Sequence, residues 1–235
     1  MGTFEPVPLS ASASPRAAEQ VGQFLRLVYG WMCAGLAITA AVAYGVAGSP
    51  AIVGAMASNP VLLIVLVAAQ LGLVFVLAAR AQRLSPGVAA LLFIAYAALT
   101  GVTLSLVLLA YTGASIASTF VVTAGMFGAL ALFGTTTSRN LAGVGQFMML
   151  GLIGLILASV VGFFWQNDAL QFLISVVGVI VFAGLAAYDA QRLRQMALSV
   201  APNQMNSYAV VGALSLYLNF INLFLFILRL TGSRR

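Results

Sequence analysis

Four carboxylates are all that the chain carries, and three of them stand where membrane-depth chemistry has no use for them. Glu5 and Glu19 lie in a Pro-, Ser- and Ala-rich N-terminal stretch, and Asp168 falls at a break between apolar runs. The fourth, Asp189, closes a long apolar run in FAGLAAYDAQRLR. Insertion scales put the cost of a charged group at membrane depth at about 2.5–3.5 kcal/mol, so such a residue is either functional or paired. Two readings stay open: an ion-pathway carboxylate, or an interfacial charge that neutralises Arg192, one helical turn away. Arg80 and Arg83 close an earlier apolar run on the same side, and either reaches Asp189 if the two helices adjoin. Alternatively, both snorkel to headgroups. Asn219 and Asn222, three residues apart, share a face of the last apolar run. Buried amides in lipid usually bond across to another helix, the role expected of Asn222. Thr100, Thr103, Ser105, Thr119, Thr123 and Gln146 either line a polar path or bond back to their own helix carbonyls.

Other chemistries are excluded by what is missing. The chain has no His and a single Cys, Cys33, so zinc sites, His-based catalysis and an intramolecular disulfide all fall away. A rhomboid-type protease needs a Ser–His pair, and an aspartyl intramembrane protease needs two membrane aspartates where this chain has one. The turn from Gly134 to Ser138 (GTTTS) lacks the Gly-Lys of a phosphate loop. No enzymatic activity and no cofactor are therefore expected. The net charge of +6 comes from ten basic residues, all Arg, scattered between apolar runs. That spacing suits lipid headgroups and topology signals rather than nucleic acid.

The elements that must position these residues follow from composition. Apolar residues make up 63% of the 235 and charged residues only 6%, against roughly 25% charged in a soluble domain. Apolar runs long enough to cross about 30 Å of hydrocarbon recur at about 24–46, 61–79, 87–111, 116–134, 141–164, 170–190 and 208–230. All seven are expected to be helices, because lipid leaves open strand edges unpaired. Turn-forming residues mark the breaks: Gly48-Ser49-Pro50, Asn59-Pro60, Ser85-Pro86-Gly87, Thr112-Gly113, Thr135 to Asn140, Gln166-Asn167-Asp168 and Ala201-Pro202-Asn203. The expectation is an all-α membrane protein with residues 1–22 as a mobile tail and 23–235 as a single seven-helix domain. Gly151, Gly154, Gly178 and Gly184 permit close helix approach.

Orientation is expected from the arginines. Arg16, Arg26, Arg80, Arg83, Arg139, Arg192 and Arg194 fall on one side, whereas the opposite breaks hold no Arg and only Asp168. The positive-inside rule then puts the N-terminus in the cytoplasm and the C-terminus outside, despite Arg229, Arg234 and Arg235 at the latter end. Trp165, with Phe163 and Phe164, fits an outer aromatic belt and Tyr188 an inner one. The absence of Lys beside abundant Ala, Gly and Arg suggests a GC-rich bacterial source, and hence an inner membrane.

Five segments, in order and covering most of the chain from the second span onward, resemble the Bax inhibitor-1 family of membrane proteins. They are QLGLVFVLAARAQRLSP (70–86), GVTLS (101–105), STFVVTAGMFGALALFGTTTSRNL (118–141), AAYDAQRL (186–193) and GALSLYLNFINLFLFILRL (212–230). The resemblance implies six helices around a central seventh and a pH-influenced calcium or cation leak. Calcium is then the transported ion, and Asp189 the one candidate ligand for it. It also implies that Asp189 pairs with a second aspartate in the seventh span and with an arginine ending the second, here Arg80 or Arg83. The second aspartate is replaced: LYLDFINLF of the family reads LYLNFINLF, which places Asn219 there. Gln70 stands where related sequences often have Glu. Since calcium favours several charged oxygen ligands, both changes argue against tight binding. The alternative that the family implies is a non-conducting regulator of a membrane partner such as a quality-control protease.

Overall fold

The computed structural model describes residues 15–79, 84–165 and 167–235; the N-terminal stretch 1–14 and the two arginines Arg80 and Arg83 lie outside the described residues. Eight α-helices follow in chain order: α1 Pro15–Ala47, α2 Pro50–Ser58, α3 Pro60–Ala79, α4 Pro86–Ala110, α5 Gly113–Thr136, α6 Ala142–Phe164, α7 Asp168–Ser199 and α8 Met205–Thr231. All but α2 are long and apolar enough to cross a membrane. Four helices open on proline, whose missing N–H costs nothing in the first turn. Side-chain oxygens cap three starts: Ser85 accepts from the Val88 amide, Thr112 from Ser115, and Asn167 from Ala169 and Leu170.

The seven spans match the apolar runs, with three departures. Residues 15–22, expected as tail, form the first two turns of α1. They hold that shape against α7, where Gln20 donates from Nε2 to the carbonyls of Ala197 (2.9 Å) and Val200 (3.3 Å). The same contact explains the second departure. α7 runs on to Ser199 rather than ending near 190, so its polar last turns are part of a helix about 48 Å long. Third, the break before the second span is itself helical: α2 rises only about 13 Å, too short to cross.

The hydrogen bonds at the two ends show seven alternating crossings. At one end Gln20 meets Ala197, Ser207 Oγ donates to the Leu84 carbonyl (3.0 Å), and Arg194 Nη1 donates to the Thr135 carbonyl (2.8 Å). At the other, the C-terminal residues lie along the α4–α5 turn, with Thr112 N donating to Ser233 O and Arg235 N to Ala110 O, both 3.0 Å. Arg234 also covers the Tyr111 ring at 5.8 Å. The two chain ends of the described bundle are thus on opposite faces.

α8 is the most enclosed helix, packed on α1, α4, α5 and α7. Of the six helices expected around it, α3 rests chiefly on α4 and α6 on α7. Glycines set two of the closest approaches. Gly134 of α5 lies against the Ala187 backbone of α7, and a methyl added at Gly178 of α7 would stand 2.6 Å from the Phe226 ring of α8. Neither position has room for a Cβ.

Candidate functional site: a polar cleft beside α8

α7 and α8 bring the sequence's two strongest candidates into contact. Asp189 sits ten residues before the end of α7, about 15 Å inside it. Asn219 lies near the middle of α8 and is 5% exposed. Its Nδ2 donates to Asp189 Oδ2 at 2.8 Å, and Ser215, one turn earlier on the same face, lines the same cleft as the carboxylate. The carboxylate thus has an amide donor on the neighbouring helix, which offsets the cost of its partial burial.

These groups open into a cleft of about 1050 Å³ between α3, α6, α7 and α8. Its polar lining includes Ser159, Arg192, Ser215 and Asn222 besides Asp189 and Asn219; the rest is mostly apolar, with Leu71 of α3 and Ile156 of α6 among the walls. Arg192 is exposed along the same wall, and no ion pair within 4 Å joins it to Asp189 among the described residues. The charge of Arg192 acts on the carboxylate from beyond ion-pair distance. The pairing of Asp189 with Arg80 or Arg83 falls outside the described residues.

The other candidates divide clearly. Asn222 lines the cleft but bonds back to the Leu218 carbonyl (2.8 Å) rather than across to another helix. Thr100, Ser105 and Thr123 also bond back, to Tyr96, Val102 and Thr119. Thr103 does the same toward Thr100 and also accepts from Gln70 Nε2, which bridges α3 to α4 together with its bond to Leu99 O (2.9 Å). Thr119 is buried, and Gln146 is exposed on the outside of α6, so neither lines the cleft. The Tyr188 ring packs on Gly145 and lines the cleft. Trp165 and Phe164 are exposed at the end of α6, as an aromatic belt requires.

Three features escaped the sequence reading. Ser215, Asn219 and Asn222 follow an i, i+4, i+7 spacing that marks one face, but only the two amides stood out. Gln191 clamps the α5–α6 turn, accepting from Leu141 N and donating to Arg139 O, both at 2.8 Å. On the far side of α8, the Tyr217 hydroxyl meets Thr39 Oγ1 of α1 at 2.6 Å, and Thr39 in turn donates to Ala97 O of α4. As for metals, no group of three or more metal-ligating His, Cys, Asp or Glu side chains occurs among the described residues. One carboxylate with an amide turned nitrogen-first toward it does not make the cage of six to eight oxygens that resident calcium takes.

A family model described as "Inhibitor of apoptosis-promoting Bax1" matches residues 21–235. The chain belongs to the Bax inhibitor-1 family. Among its relatives, the inner membrane protein YbhL of Escherichia coli K12 is 50% identical over 224 residues, spanning 94% of this chain and 95% of that protein. An uncharacterized protein of Deinococcus radiodurans is 44% identical over 225 residues, covering 95% and 96% of the two chains. Another, of Borreliella burgdorferi, is 41% identical over 215 residues, covering 91% and 93%. Seven apolar spans in this Bax inhibitor-1 family chain, with a relative named as an inner membrane protein, support a bacterial inner-membrane location.

Proposed function

We propose that this Bax inhibitor-1 family protein is a calcium or cation leak whose path runs through the cleft beside Asp189 and Asn219. One observation carries the reading: the single carboxylate set deep within a spanning helix, among the described residues, faces a wide cleft whose other polar groups are neutral except Arg192. A cation crossing hydrocarbon needs such a stepping point, and a lone carboxylate binds weakly enough to release it. Protonating Asp189 removes its charge and weakens the bond from Asn219, which is how pH would act on the path. The N-terminus is cytoplasmic on this reading, because the arginines gather at that end.

The test is purified protein in sealed vesicles with no partner present. Calcium entry above that of protein-free vesicles is expected, and Asp189→Ala is expected to bring it down toward that rate by removing the carboxylate on which the cation pauses. Absence of flux would defeat the leak and leave the regulator of a membrane partner, such as a protease, as the better account.

A further inference from the structure

A second crevice, of about 450 Å³, lies between α1 and α5 on the opposite side of α8 from the polar cleft. Its walls are almost wholly apolar: Met32, Cys33 and Leu36 from α1, Phe127 and Leu132 from α5, with Phe220 of α8 behind them. The volume falls within the roughly 300–1,000 Å³ of small-ligand sites. At the arginine-rich end the character changes. Tyr29 and Thr135 line the crevice there. The Thr135 carbonyl, one of those that the end of α5 leaves unpaired, takes the hydrogen bond from Arg194 Nη1 at 2.8 Å. Arg26 precedes Tyr29 by three residues, and so lies one turn nearer that end on the same face of α1.

The charges at this mouth are out of balance. Arg194 is half-buried and spends one of its five N–H donors on Thr135; no carboxylate stands within ion-pair distance of it among the described residues. Glu19, the acidic group on that part of α1, is exposed and accepts instead from Gln23 at 3.2 Å. Arg194 thus stands beside the mouth of an apolar slot, with Arg26 exposed one turn along α1. A fork of N–H donors suits a phosphate, and the slot suits hydrocarbon. Basic pockets between spanning helices are the usual seat of anionic headgroups.

From this juxtaposition we infer that the α1–α5 crevice is a binding site for an anionic phospholipid of the leaflet on the arginine-rich face, one acyl chain lying in the slot and the phosphate held by Arg194 and Arg26. The inference does not depend on the leak. It predicts lipid selectivity whether or not the polar cleft conducts.

Cys33 is the only cysteine of the chain, is exposed, and lines the slot, so a thiol-reactive fluorophore on it reports this crevice alone. The labelled protein is placed in nanodiscs of phosphatidylcholine with increasing amounts of phosphatidylglycerol brominated along its chains, and in a parallel series with brominated phosphatidylcholine. Half-maximal quenching is expected at a several-fold lower fraction of the anionic lipid. Arg194→Gln and Arg26→Gln should each bring the two curves together. Gly128→Leu should weaken quenching by either lipid, since Gly128 lines the slot with open space above it. Unlabelled protein should retain one phosphatidylglycerol in native mass spectra, and Arg26→Gln should lose it, which decides the matter if Arg194→Gln does not fold. Equal quenching by the two lipids in the unsubstituted protein would overturn the site. Selectivity that survives both Arg→Gln changes would overturn the phosphate assignment and the proposal with it.

Discussion

If the Asn219–Asp189 bond joins α7 to α8, the two side chains must be energetically coupled, and a double-mutant cycle reads that coupling directly. Asn219→Leu leaves a half-buried carboxylate without the amide that donates to it, and Asp189→Leu leaves a nearly buried amide without its acceptor. A hydrogen bond to a charged group is worth about 1.5–3 kcal/mol in soluble proteins. Bonds between membrane helices average only about 0.6 kcal/mol, with a maximum near 1.7. The 2.8 Å length and the charged acceptor place this one toward the upper end, so a coupling of about 1.5 kcal/mol is expected. Each single change should therefore destabilise by about 1–3 kcal/mol, while the double change should recover part of the loss because neither group is then left unpaired. Reversible unfolding in mixed micelles measures all four proteins. A coupling within the roughly 0.5 kcal/mol scatter of independent sites would refute the idea that this bond holds the helices together.

Three further outcomes follow from the packing. Tyr217→Phe, which deletes the hydroxyl bonded to Thr39 at 2.6 Å, should cost about 1 kcal/mol in the same unfolding assay, with Thr39→Val adding less than its own single effect. Gly178→Ala should cost about 1–3 kcal/mol by forcing the Phe226 ring away, whereas Gly154→Ala, with open space around it, should be close to neutral. A reporter fused after Arg235 should be extracytoplasmic and one inserted at 200–204 cytoplasmic, the arginine asymmetry setting the direction; a cytoplasmic C-terminus would reverse the assignment of the two faces.

The spans were legible because length and apolarity decide them in lipid, and the prolines and caps that bound them stand in plain view. What escaped depends on contacts between distant segments. The polar run after Asp189 reads as loop, yet α7 continues through it because Gln20, 177 residues away, bonds its end. α2 is as apolar as a span but too short for the length criterion to register. At the site, Asp189 and Asn219 stood out as polar residues in apolar runs, but their proximity came from family resemblance and no helical period could have supplied it. Tyr217 reads as one more aromatic of the core, and only the position of Thr39 on α1 reveals its hydroxyl as part of a cross-helix bond. The cleft needed the structure, since it exists because α3 and α6 lean on α4 and α7 rather than closing around α8.

The leak itself is tested most directly by blocking the cleft from a wall that holds nothing else together. Ser159 of α6 lines it and bonds only to the Leu155 carbonyl of its own helix, so Ser159→Trp fills the space without breaking a contact between helices. The measurement is the initial rate of calcium entry into sealed vesicles holding equal amounts of folded protein. The account predicts entry above the protein-free rate for the unsubstituted chain and a return to that rate in Ser159→Trp. Entry that Ser159→Trp leaves unchanged would show that the ion does not pass this way, and no entry in either would contradict the leak altogether.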